Sequence, residues 1–300
     1  MSLNKSKILP ILEALFTVLV WGASFIATKV ALRDLSPVTL VWMRFSIGVL
    51  ILGFATAARR QFALPARNEL GYLALLGFLG ITFHQWLQST GLVTAQASTT
   101  AWIIASTPVF MALLGWGFLK EKLTRTQVFG IALAALGVMM VVSKGDFSSL
   151  SVGKFGTPGD ILILISAPNW AVFSILSRRG LQQHPATRMM FFVMCFGWLF
   201  STLLFFTGPG FSEIARLSRD GWLAILFLGV VVSGLAYITW YDALKAIPAS
   251  QIGVFLYFEP LVAVVVAAAV LAEPLLLASL LGGGIILLGV WLVNRSGETK

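Results

Sequence analysis

Apolar residues run through this chain in blocks of about 20, the length needed to cross a bilayer's hydrocarbon core, separated by short polar segments. Ten such blocks recur, and they predict helices over roughly 9–31, 38–57, 70–91, 97–119, 125–143, 159–179, 187–207, 221–244, 250–272 and 275–294. The first block follows Lys5 and Lys7, as a signal peptide's apolar core would. It is about twice the length of such a core and lacks a clear small-residue cleavage site, so it reads as a retained helix. Composition agrees: 58% of the 300 residues are hydrophobic, 11% are charged, and the mean hydropathy is +0.91. A soluble fold of this size could not hide so much apolar surface, and the predicted class is an all-α integral membrane protein.

The blocks are not independent of one another. Shifted by 152 residues, Leu73 to Val142 falls on Ile225 to Asn294 without a gap, and the matches extend beyond common apolar types. Gly77 meets Gly229, Ala97-Ser98 meets Ala249-Ser250, Pro108 meets Pro260, Glu121 meets Glu273, Gly130 meets Gly282 and Gly137 meets Gly289. The first helices of the two halves align at a shift of 149, where Thr17, Trp21, Thr28 and Lys29 meet Ser166, Trp170, Ser177 and Arg178. This is a duplication of a five-helix unit, spanning 9–143 and 159–294. Five is odd, so the second copy enters the membrane from the opposite side, and an inverted 5+5 repeat is a signature of secondary transporters.

These residues also carry a family resemblance. LVWGASFIATKVAL, WMRFSIG and STPVFMALLGWGFLKEKLTRTQVFGIALAALGV in the first half, with FEPLVAVVVAAAVLAEPLLLASLLGGGIILLGV in the second, resemble EamA domains of the drug/metabolite transporter superfamily. The His-Gln-Trp run at 84–86 and the many membrane tryptophans are similar to bacterial inner-membrane exporters of aromatic amino acids of the YddG type. The resemblance implies ten helices, export of small metabolites across the bacterial inner membrane, and no cofactor.

The net charge of +9 and pI near 10.1 raise the question of a polyanionic partner such as nucleic acid. Placement answers it. With the N-terminus inside, fourteen Lys and Arg residues fall in cytoplasmic segments and five in outer ones, which predicts both termini in the cytoplasm and accounts for the basic pI. Membrane lipid and a small-molecule substrate are the expected partners, not nucleic acid. Lys29 and Arg44 are the basic residues inside blocks, near the outer ends of helices one and two and within snorkelling reach. Arg44 has no basic mate in the second copy, where the 149 shift gives Val193.

Polar side chains at helical spacing mark the faces turned away from lipid. Thr17, Trp21, Ser24 and Thr28 form one stripe, and Ser166, Asn169 or Trp170, Phe173 and Ser177 repeat it in the second half. Ser98, Trp102 and Ser106 are four apart, as are Gln251, Phe255 and Glu259, with Tyr257 on another face. In ITFHQWLQST, His84 and Gln88 share a line while Gln85 and Ser89 form the next. The 152 shift sets Gln85 on Tyr237 and Gln88 on Trp240, so an amide-rich wall faces an aromatic one.

Each residue also has a plainer role. Serines and threonines in membrane helices bond the carbonyl one turn back, end-of-span tryptophans sit at the interface, and glycines such as Gly130 and Gly137 serve helix packing. His84 is equally a helix-bridging residue, a carboxylate contact or a proton-linked gate. Glu259, in mid-span beside Pro260, is neutral, paired or functional, because an ionised unpaired carboxylate there would cost several kcal/mol. Pro108 and Pro260 each remove a backbone hydrogen bond at matched places, as hinges or as static bends.

An enzyme is poorly supported: two histidines and one cysteine build no metal cluster, and neither a phosphate-binding Gly-rich loop nor a nucleophile elbow is present. A channel would need charge rings or a filter loop. The expected function is a secondary transporter working by alternating access. Its substrate wall comprises Trp21, His84, Gln85, Gln88, Trp102, Ser106, Asn169, Trp170, Tyr237, Trp240 and Tyr257, with Glu259 coupling protons or serving structure. Aromatic rings with amides suit an aromatic amino acid. A lipophilic cation exporter is the near alternative, and a membrane-embedded transferase the alternative from another class.

Overall fold

Whether ten apolar blocks become ten helices depends on their ends, because backbone polar groups within the bilayer must be satisfied inside the chain. The computed structural model describes residues 5–120, 122–146, 156–246 and 253–295. Ten helices in it are long and apolar enough to span: α1 (Ile8–Ala31), α2 (Pro37–Ala58), α3 (Arg67–Thr94), α4 (Ala97–Phe118), α5 (Arg125–Val142), α6 (Pro158–Gln183), α7 (Ala186–Phe205), α8 (Arg219–Ala246), α9 (Val254–Leu271) and α10 (Leu277–Arg295). Starts are chemically marked. The Ser36 hydroxyl caps α2 ahead of Pro37, and Thr157 and Asp160 exchange side-chain-to-backbone bonds at the start of α6. A short helix, Gly210–Ala215, lies between α7 and α8.

The close helix pairs repeat across the two halves: α2 packs on α7, α5 on α10, α3 on α6 and α1 on α8. At the α5–α10 contact, a Cβ on Gly130 would stand 2.6 Å from the Gly289 carbonyl oxygen, and one on Gly137 would stand 2.6 Å from that of Gly282. Because Gly130 matches Gly282 and Gly137 matches Gly289, the contact is reciprocal, as a pseudo-two-fold axis requires.

The halves share irregularities too. α3 is interrupted by a π-helical stretch at Phe78–Phe83 and α8 by one at Phe227–Leu235, and the two end 152 residues apart. α4 breaks at Ser106 before restarting at Thr107, and α9 begins as a 3-10 turn at Val254–Tyr257 before its α-helical part at Phe258. Pro108 and Pro260 thus sit in the first turns of restarted helices, where a missing N–H costs nothing, rather than kinking continuous ones. Both restarted helices end on a left-handed residue, Lys120 at φ 56° and Ala272 at φ 53°.

The largest apolar core lies where α1, α2, α3, α7 and α8 meet, around Leu40, Phe45, Leu76, Ile81, Met190 and Leu228. Leu50, Phe54, Leu203 and Val265 are exposed on the outer faces, as lipid contact demands.

Candidate functional site

A π turn accommodates one residue more than an α turn and so re-aims every side chain beyond it. In α3 the re-aimed residues are His84 and Gln85, and in α8 they are Ala236 and Tyr237. Neighbouring helices grip the irregular turn of α3. Asn169 Nδ2 on α6 donates to the Leu79 carbonyl at 2.9 Å, and Thr82 Oγ1 donates to the Gly197 carbonyl on α7 at 2.8 Å. Asn169 is therefore engaged in holding the wall.

Beyond these turns a polar and aromatic seam forms between α1, α2, α3, α6 and α8. His84 is 4% exposed, its ring 4.7 Å from that of Trp170, and its Nδ1 has no partner among the described residues. Trp170 also packs on Phe173, ring centroids 4.8 Å apart and tilted by 34°. Trp21 lies 5.1 Å from Trp240 and 6.1 Å from Tyr237, centroid to centroid. Thr17 Oγ1 and Thr239 Oγ1 share a hydrogen bond of 2.8 Å that ties α1 to α8 beside these rings. Gln88 is half-buried on the same helix as His84, and the hydrogen bonds among described residues leave its amide free.

Arg44 departs from expectation. It does not snorkel: it is 5% exposed, turned into the seam. Its Nε donates to Ser233 Oγ at 2.7 Å and its Nη1 to Gln85 Oε1 at 3.0 Å, while its guanidinium carbon lies 5.1 Å from the Phe45 ring centre. The Gln85 Oε1 is thus engaged by Arg44. The signal available in the sequence was an arginine seven residues into an apolar block with an apolar residue at the matched position.

Glu259 on α9 is half-buried, with no ion pair or side-chain hydrogen bond among the described residues. Its helix touches α1 closely: a Cβ on Gly22 would stand 2.7 Å from the Glu259 carbonyl oxygen. Three expected wall residues lie apart from the seam. Trp102, 2% exposed, packs against Gly283 of α10, where a Cβ would come within 2.4 Å of the indole. Ser106 bonds its own helix through the Ile103 carbonyl at 2.6 Å, and the Tyr257 hydroxyl accepts from Asn294 Nδ2 at 2.9 Å near the end of α10. Gln251, Glu121, Ala249, Ser250 and Lys154 lie outside the described residues.

Side-chain bonds tie the start of α4 to the segment after α9. The Glu273 carboxylate, just past α9, accepts from Ala97 N at 2.8 Å, Ser98 N at 3.1 Å and Ser98 Oγ at 2.7 Å, capping α4. Lys29 Nζ donates to the Ala95 carbonyl at 2.5 Å beside it. An apolar plug of Phe25, Ile26, Leu92, Ala101, Ala263 and Ala267 lies beneath.

Ten helices long and apolar enough to span, in two like halves that meet at a polar and aromatic seam, define a multi-pass membrane protein. The sequence pattern of the EamA-like transporter family matches residues 8–143 and again 157–295, and the chain belongs to that family. It is a transporter rather than an enzyme. It is similar to an uncharacterized transporter of Archaeoglobus fulgidus (29% identity, covering 93% of this chain and 94% of that one). An uncharacterized transporter of Bacillus subtilis, YdfC, is 27% identical over 90% of this chain and 86% of its own. A probable terminal-alkyne amino-acid exporter of Streptantibioticus cattleyicolor is 26% identical over 93% of this chain and 91% of its own. A solved crystal structure 20% identical in sequence shares the fold, with a TM-score of 0.66 over 97% of this chain and 99% of that chain.

Proposed function

We propose that the protein exports aromatic amino acids, or closely related amphipathic metabolites, across the bacterial inner membrane by alternating access, with both termini in the cytoplasm. The observation that carries this reading is the seam itself. Trp21, Tyr237 and Trp240 cluster between α1 and α8, and Trp170 packs on His84 of α3; the Gln88 amide on α3 and the Glu259 carboxylate on α9, whose backbone touches α1 at Gly22, are left without partners among the described residues. Rings offer a face to an aromatic side chain, and an unpaired carboxylate is an acceptor for an ammonium. The similarity to an exporter named for an amino acid points the same way. Glu259 receives the ammonium or a proton in its place, so the seam binds substrate in one state and releases it in the other.

Counterflow in proteoliposomes tests the reading. Vesicles preloaded with phenylalanine, tyrosine or tryptophan should accumulate the labelled compound, and leucine should compete poorly. Equal exchange of leucine, or none of the aromatic compounds, would end the aromatic assignment. Glu259→Gln should abolish stimulation by a proton gradient if the carboxylate couples, and unchanged stimulation would leave it a substrate contact alone.

A further inference from the structure

We infer that Arg44 is the anion-binding group of the seam and that the transported compound must present a carboxylate to it. The inference rests on the transport reading above and deepens it. A guanidinium inside a membrane bundle costs several kcal/mol unless something neutralises it. Here the two groups that hydrogen-bond to it, Gln85 Oε1 and Ser233 Oγ, are neutral and orient the fork, and the Phe45 ring beside it carries no charge either, so none of them cancels its charge. Nη2 has no hydrogen-bond partner among the described residues, and none of the ion pairs among them includes Arg44. Its partner Gln85 is the neighbour of His84 and its partner Ser233 lies four residues before Tyr237, which puts it in the wall that carries the aromatic rings.

The fold does not require this cation. At the pseudo-equivalent places in the other half, Arg44 becomes Val193 and Ser233 becomes Ile81, both 0% exposed. The same helix contact is therefore built once from two apolar side chains and once from a buried donor and acceptor. A buried charge retained where an apolar pair packs equally well serves something other than packing. A planar fork with two of its five donors occupied and one nitrogen free matches a carboxylate. The assignment separates the two export readings: a lipophilic cation would be repelled by Arg44, whereas a zwitterion sets its carboxylate there and its ammonium on the Glu259 side.

The test uses ligands that share one ring: phenylalanine, 3-phenylpropionate, phenylalanine methyl ester and phenethylamine, binding to the purified full-length protein. Wild type should bind the two carboxylates and discriminate against the ester and the amine by roughly tenfold to a hundredfold. Arg44→Gln should erase that discrimination, and Arg44→Lys should keep part of it. Ester or amine bound as tightly as acid by wild type overturns the assignment, even if no variant folds; so does Arg44→Gln with wild-type affinity for the acids. The two readings fail separately. Acid-selective binding without counterflow of aromatic amino acids keeps the anion site and rejects the export assignment, while counterflow of phenethylamine equal to that of phenylalanine rejects the anion site alone.

Discussion

Gly48 lies one turn beyond Arg44 on α2, where a Cβ would stand 2.9 Å from both the Ser233 Cβ and the Met194 Sδ. The missing side chain lets α8 approach closely enough for Ser233 to reach the Arg44 Nε. Gly48→Val should therefore destabilise the protein by about 1–3 kcal/mol through overpacking. Gly284→Ala, with nothing within 4 Å of its Cβ, should leave thermal unfolding in detergent unchanged. Gln85→Leu provides a second check, since it strands a buried donor on Arg44 at a cost of about 1–3 kcal/mol, whereas Ser106→Ala removes only a bond within its own helix. Comparable losses for Gln85→Leu and Ser106→Ala would refute the view that Gln85 is held by the cation. At this scale the sequence disclosed the polar inventory, because His84, Gln85 and Glu259 are conspicuous among apolar neighbours. It did not disclose their partners. Arg44 read as a snorkelling residue because position along a block reports depth, while facing depends on which helix packs alongside.

At the scale of elements, helix number, the repeat and the glycine contacts were legible, since length and matched small residues report them directly. The π stretches were not. Apolar residues satisfy π and α geometry alike, so FLGITF carries no periodic sign of its extra residue. The re-aiming of His84 is its consequence, whereas Trp102 packs on Gly283 and Tyr257 bonds Asn294, contacts with α10 that spacing along their own helices does not report. Inserting one alanine between Phe83 and His84 should turn His84, Gln85 and Gln88 by about 100° relative to α3's first half, whereas deleting Ile81 removes the residue that the π turn absorbs and should leave their aim unchanged. Membrane insertion should persist in both variants, and counterflow should vanish with the added alanine. Retained counterflow with the added alanine would mean that the aim set by the π turn does not set the wall. Asn169→Leu should produce a milder version, because only the clasp on the Leu79 carbonyl is lost.

Across the whole molecule, the Glu273 clamp and the plug beneath it lie at the end of the bundle that the charge distribution predicts to face outside, and on the alternating-access reading they hold that end shut. Bonds from a carboxylate to two backbone amides and a hydroxyl contribute about 1.5–3 kcal/mol each when made to a charged group. Removing the carboxylate should shift the equilibrium toward the outward-open state, by roughly tenfold for every 1.4 kcal/mol lost. Ala267, fully buried in the plug, is the reporter. In a Cys195→Ser background, Ala267→Cys should resist a membrane-impermeant maleimide applied outside, and adding Glu273→Ala should make it reactive. In sequence the 152 shift matches Glu121 to Glu273 and Ala249-Ser250 to Ala97-Ser98, so on the alternating-access reading Glu121→Ala should act with the opposite sign and protect the same cysteine further. If both substitutions raise labelling alike, each merely loosens the bundle, and the two halves are not exchanging roles at opposite ends of the membrane.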